Sequence, residues 1–130
     1  MGARVAMTTL VVDEYERGLA FFVETLGLRV VADTDMGGGK RWVVVEGAGG
    51  GRLLLARADS ETQRAAIGRQ TGGRVGFFLE TDDFERDHRR FVELGVRFLE
   101  TARHEPYGTV AVFEDPFGNQ WDLIQPRAES

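Results

Sequence analysis

Apolar positions along the chain follow two alternating periods, and each half of the sequence runs through them in the same order. Val5 to Val12 and Arg74 to Thr81 are rich in β-branched and aromatic residues, which predicts a strand at the start of each half. A helical period comes next. Tyr15, Leu19, Phe22 and Leu26 recur at helical spacing after the first strand, and Phe84, Phe91 and Leu94 do so after the second. Gly27 and Gly95 stand where such helices end. Three strand-like runs then follow in each half: about Arg29 to Asp33, Arg41 to Glu46 and Arg52 to Ala56, then about Arg97 to Thr101, Thr109 to Glu114 and Gln120 to Gln125. Between the halves, Ser60-Glu61-Thr62-Gln63 reads as a capping box opening a short helix that Gly68 closes, and Thr71-Gly72-Gly73 reads as a hinge. The predicted fold class is α+β, two tandem βαβββ modules at about 4–57 and 74–126 joined by a linker at about 58–73.

The halves also repeat residue by residue, which is the signature of a duplicated module. Leu10-Val11-Val12-Asp13-Glu14-Tyr15-Glu16-Arg17 returns as Leu79-Glu80-Thr81-Asp82-Asp83-Phe84-Glu85-Arg86, with leucine, paired acids, an aromatic ring and Glu-Arg all conserved between the copies. Leu26-Gly27-Leu28-Arg29-Val30-Val31 is echoed by Leu94-Gly95-Val96-Arg97-Phe98-Leu99, and Gly39 to Val44 by Gly108 to Phe113. Matching Gly51 with Gly118 extends the alignment to the fourth strand of each half.

Composition narrows the function classes. The 130 residues suit a single ordinary domain, and no apolar run approaches the roughly 18 residues a membrane span needs. A net charge of -5, from 21 acidic and 16 basic side chains, disfavours binding to a phosphate backbone, so neither nucleic acid nor membrane is an expected partner. The chain has no cysteine, which removes disulfides, thiolate metal sites and cysteine nucleophiles together. Met1-Gly2-Ala3-Arg4 carries no apolar signal region and Ala6 breaks the myristoylation pattern, so a cytoplasmic location is expected. His88 and His104 are the only histidines, and one chain therefore has no three-imidazole site.

Paired βαβββ modules with Asp115-Pro116-Phe117-Gly118-Asn119 before the last strand Gln120-Trp121-Asp122-Leu123-Ile124 resemble the vicinal oxygen chelate superfamily, the glyoxalase, bleomycin-resistance and extradiol-dioxygenase group. The resemblance runs from about Val5 to Gln125. It implies half-barrels that face one another around a cleft for a metal or small organic ligand, and it implies a homodimer. Metal-dependent members of that group place ligands, usually His or Glu, on the first and last strands of each module. By strand alternation, Val75, Phe77 and Leu79 form a face that packs under a helix, so Arg74, Gly76, Phe78 and Glu80 point into the cleft. The module repeat assigns Met7, Thr9 and Val11 the same orientation. The four family ligand positions then fall on Met7, Leu55, Gly76 and Asp122. One carboxylate and a soft thioether are a poor set for Zn, Ni or Fe, so no cofactor is expected. The alternative is a divalent ion such as Ni, Zn, Fe or Mn held by Asp122, Glu80 and His104.

Other candidates carry a functional and a structural reading side by side. His104-Glu105-Pro106-Tyr107-Gly108 precedes the seventh strand of the βαβββ count, where His104 suits acid-base catalysis and Tyr107 a ligand contact; a solvated hairpin explains the same residues. Arg74, Glu80 and Asp122 meet a ligand or pair internally. Trp42 suits stacking on a planar ligand or packing, Trp121 suits the core, and His88 a boundary position near Phe84 and Phe91. The expected function is small-molecule binding that sequesters an antibiotic or metabolite. The alternative is a lyase or dioxygenase of the same group. A Gly76→Trp substitution is expected to block the cleft and spare stability.

Overall fold

The computed structural model describes residues 2–128. The chain folds as two compact units that divide after Ile67. The first contains β1 (Thr8–Val12), α1 (Tyr15–Leu19) running into a π-helical turn (Ala20–Thr25), β2 (Arg29–Gly37), β3 (Lys40–Glu46), β4 (Arg52–Arg57) and α2 (Glu61–Ala66). The second contains β5 (Phe77–Glu80), α3 (Phe84–Glu93), β6 (Arg97–Phe98), β7 (Arg103–Glu105), β8 (Gly108–Glu114) and β9 (Gln120–Pro126). Each unit carries one open mixed sheet, ordered β1-β4-β3-β2 in the first and β5-β9-β8-β6 in the second, with β7 also on β8. β1 and β5 run parallel to β4 and β9, and the remaining pairs are antiparallel. The two predicted βαβββ modules are thus present as an α+β fold.

Each unit has its own core. Leu10 and Val12 of β1 are fully buried, as are Phe22, Val43, Val45 and Leu55. The helix that covers them departs from a simple 3.6-residue period. Leu26 N–H donates to the Phe21 carbonyl and Leu28 N–H to the Phe22 carbonyl, and this wider winding turns both phenylalanines inward. Leu19, expected in the core, is consequently only half-buried while Phe21 is 9% exposed. In the second unit Phe84 and Phe91 of α3 are buried with Phe77, Phe113, Trp121 and Leu123; Phe91 lies against Phe113, which stacks on Trp121, which stacks on Phe77. Leu94, also expected inside, is 51% exposed. α3 ends at Glu93, and the chain turns through Gly95 so that Val96, not Leu94, returns to the core with its N–H on the Phe91 carbonyl.

Two loops decide register. In the turn before β9, Asp115 N–H donates to the Asn119 carbonyl and Gly118 N–H to the Asp115 carbonyl. The turn before β4 repeats both bonds, from Gly47 to Gly51 and from Gly50 to Gly47, and Gly50 and Gly118 share positive φ angles of 96° and 99°. Gly118 therefore corresponds to Gly50, not Gly51. The strand pairs agree, since Thr9 lies opposite Leu54 and Phe78 opposite Asp122. The counterpart of Asp122 is Leu54. Leu55, the sequence assignment, is fully buried beneath the helix instead, because a one-residue slip sends a strand side chain to the opposite face.

The second loop replaces the predicted strand Arg97 to Thr101. Arg97 and Phe98 pair there and the Leu99 N–H still donates to the Val112 carbonyl at 2.9 Å, but Glu100 to Ala102 leave the ladder, and pairing with β8 resumes at Arg103. Glu100 bridges the break: its carboxylate accepts the Val112 N–H at 3.0 Å, where a neighbouring strand's carbonyl would otherwise serve.

Candidate functional site

The face of the second sheet turned away from α3 gathers the chemistry. Phe77 and Leu79 alternate with Phe78 and Glu80 along β5. Phe77 stacks on Trp121 on the α3 side, whereas Phe78 is 65% exposed on the other. Asp122 lies opposite Phe78 on β9 and opposite Val112 on β8, so it shares the Phe78 face. Its side chain is buried, and among the described residues Oδ1 is the one buried side-chain oxygen or nitrogen without a hydrogen-bond partner. Burial pushes the Asp122 carboxyl above its ordinary range, the positive charge of Arg103 opposes that shift, and Glu100 adds to it.

Arg103 is already committed. Its Nε donates to both Glu100 oxygens at 2.9 and 3.1 Å, and Nη1 donates to Glu105 at 3.1 Å. Glu100, then Tyr107, hold the guanidinium firmly in its charged form. Along β7, Arg103 and Glu105 are half-buried and linked to each other, while His104 between them projects from the other side of the strand. There His104 Nδ1 lies 3.3 Å from Thr109 Oγ1, in an open groove of about 910 Å³ that His88 of α3 also lines. His88 stacks on Phe84 with ring centroids 5.3 Å apart and tilts against Phe98 at 4.3 Å. His104 therefore does not join Asp122 and Glu80, and among the described residues no three His, Asp or Glu side chains form a metal-binding group.

The remaining sequence candidates fall as follows. Glu80 and Arg74 are exposed, and neither forms an ion pair with the other or with Asp122 among the described residues. Tyr107 is 52% exposed at the hairpin between β7 and β8. Gly76 immediately precedes β5 and donates its N–H to the Gln120 carbonyl. A Cβ there would lie 2.3 Å from Thr71 Cγ2, and Thr71 is held by a bond from its hydroxyl to the Arg74 carbonyl. Gly76 is thus a packing point, and Gly76→Trp would disturb this turn and cost stability, contrary to the sequence expectation. In the first unit, Met7 is half-exposed ahead of β1 and Thr9 is exposed. Trp42 is 39% exposed and alternates with Val43, so it shares the face of Thr9 and Leu54. Arg41 points the other way, its backbone N–H on the Tyr15 hydroxyl and its guanidinium on Asp33 and Glu16.

Glu100 and Arg103, whose charges act on Asp122, were not singled out by pattern reading, and Glu105 was named only as part of the hairpin beside His104. The signal was the alternation Arg103-His104-Glu105, legible only once that segment is recognised as a strand.

Asp115 ties together the turn leading to this face. One of its oxygens accepts the Phe117 and Asn119 backbone N–H groups, and the other accepts Asn119 Nδ2 and Trp121 Nε1, all at 2.9 to 3.0 Å. The Asp-Pro-Phe-Gly-Asn sequence thereby sets the start of β9 and the position of Asp122 upon it.

Known proteins share these features. The family model Glyoxalase/Bleomycin resistance protein/Dioxygenase superfamily matches residues 4–123. An uncharacterized protein of Shewanella frigidimarina (strain NCIMB 400) is 45% identical over 128 residues, covering 96% of this chain and 95% of its own length. Among solved structures, TnmS3, an antibiotic binding protein from Streptomyces sp. CB03234, is similar at a TM-score of 0.77 and 32% identity, covering 96% of this chain and 97% of its own. UcmS2 is similar at a TM-score of 0.80 and 28% identity, covering 95% of this chain and 98% of its own. Two copies of one module, a shared turn before the last strand of each, and a family match over nearly the whole length lead to one conclusion: this chain belongs to the Glyoxalase/Bleomycin resistance protein/Dioxygenase superfamily.

Proposed function

We propose that the protein binds and sequesters a small organic molecule, an antibiotic or metabolite, without the metal used by the superfamily's enzymes. The observation that carries this reading is the donor set. At the four family positions stand Met7, Leu54, Gly76 and Asp122, one carboxylate in all, and that set does not fit Zn, Ni, Fe or Mn, which need further imidazole or oxygen donors. The acid-base alternative is weakened by the alternation that sends His104 away from Asp122. The 32% identity to an antibiotic binding protein supports the same choice. In this reading Phe78, Glu80 and Asp122 contact the ligand. The reading also assigns the protein to the cytoplasm, as a homodimer.

The test combines metal analysis with ligand screening. Untagged protein is analysed by elemental mass spectrometry, chelated, and then scanned by thermal shift against antibiotics, including bleomycin, and a metabolite panel. We expect far less than one metal per chain and a raised melting temperature with at least one compound. A stoichiometric ion that rebinds after chelation would overturn the proposal in favour of a lyase or dioxygenase, and a panel without any binder would overturn it as well.

A further inference from the structure

Resting on the binding reading above, we infer that the ligand carries a protonated amine beside a flat apolar ring, the amine donating to the accessible edge of the Asp122 carboxylate and the ring lying on Phe78.

The first ground is that Asp122 is an exception. Among the described residues the other buried carboxylates are served: Asp115 accepts four hydrogen bonds, and Glu46 is paired with both Arg29 and Arg52. Asp122 Oδ1 has no donor although its residue is only 9% exposed. A buried acceptor without a donor is destabilising until a partner arrives. Arg103 does not supply one: its Nε donates to Glu100 and its Nη1 to Glu105, and among the described residues it forms no ion pair with Asp122.

The second ground is the sign of the surroundings. Glu100, Glu105 and Asp122 place three carboxylates around one guanidinium, and Glu80 adds a fourth on the neighbouring strand of the same face. An anionic group is repelled there, and a neutral donor gains less than a charged one, because a charge-assisted hydrogen bond is roughly twice as strong as a neutral one. The third ground is Phe78. It is Asp122's direct partner across the β5–β9 pair, and adjacent strands lie about 4.8 Å apart, so one small molecule spans ring and carboxylate together. An exposed phenylalanine next to a buried acid is an unfavourable arrangement for the empty protein and suits an aromatic amine.

The experiment uses three probes sharing one ring, tryptamine, tryptophol and indole-3-acetate, titrated into the full chain by calorimetry. Tryptamine is expected to bind about tenfold more tightly than tryptophol, and indole-3-acetate not at all. In Asp122→Asn the preference for tryptamine over tryptophol is expected to vanish. In Phe78→Ala all binding weakens while the preference survives. Each variant is first checked for an unchanged circular dichroism spectrum. Equal affinity for tryptamine and tryptophol, an undiminished preference in Asp122→Asn, or no binding of tryptamine would each overturn the inference. If the antibiotic and metabolite panel gives a neutral or anionic binder while tryptamine fails, the ligand chemistry is wrong and the binding reading stands. If both fail, both are lost.

Discussion

At the scale of single residues, Asp115 and Asp122 show what burial does to a carboxylate with and without donors. Both are buried, 4% and 9% exposed, but Asp115 accepts four hydrogen bonds and Asp122 keeps an unpaired oxygen. Burial raises the Asp122 pKa above its ordinary 3.8, so folding is opposed by its ionisation. Below pH 3.8 the group is protonated in both folded and unfolded chains and costs nothing. As pH rises through the raised value the penalty grows, and it is complete once both states are ionised. Asp122→Asn is therefore expected to be more stable than the parent at pH 7, with the difference closing near pH 3.5. Urea denaturation at the two pH values checks this; a variant less stable than the parent at pH 7 would refute it. The position of Asp122 on the open face was legible in the alternation of β9. Its unpaired state was not, because that depends on where folding places the donors of Arg103, which reach Glu100 and Glu105.

At the scale of elements, glycine runs and helix windings separated what pattern shows from what it hides. Gly49-Gly50-Gly51 offers three equivalent letters, so sequence matching had no means of choosing between them. Hydrogen bonding and a shared positive φ select Gly50, and with it Leu54. The correction has a measurable consequence. Leu55→Asn places an amide in a fully buried apolar site and is expected to cost about 3 kcal/mol or more. Leu54→Asn, on the half-buried opposite face, is expected to cost about 1 kcal/mol. Chemical denaturation of the two variants distinguishes them, and equal losses would contradict the register. The π-helical turn was equally hidden. Adjacent Phe21 and Phe22 look like one core residue and one bystander at 3.6 residues per turn, and only the wider winding buries both. β6 and β7 were read as one strand and a turn because the ladder between them is completed by a side chain, Glu100, which no backbone pattern records.

At the scale of the whole molecule, the chain is one module made twice, with a separate core and an open sheet in each unit. Among the described residues no helix is long and apolar enough to cross a membrane. The homodimer expected from the family resemblance predicts a sedimenting species of twice the 14.4 kDa chain mass, unchanged by chelators; a single 14.4 kDa species across the micromolar range would oppose it. The sequence by itself determined the module count, the order of strands and helices apart from the division of one strand into β6 and β7, the family, and the side of each first strand on which Phe78, Glu80 and Thr9 lie. Those features depend on period and turn residues, which are local and written along the chain. Tertiary structure decided that Leu54 and not Leu55 answers to Asp122, that Gly76 is packed by Thr71, that His104 turns away from the acids, and that Arg103 binds Glu100 and Glu105. These depend on pairing between distant segments, where a shift of one residue reverses a face and decides which donors and acceptors meet.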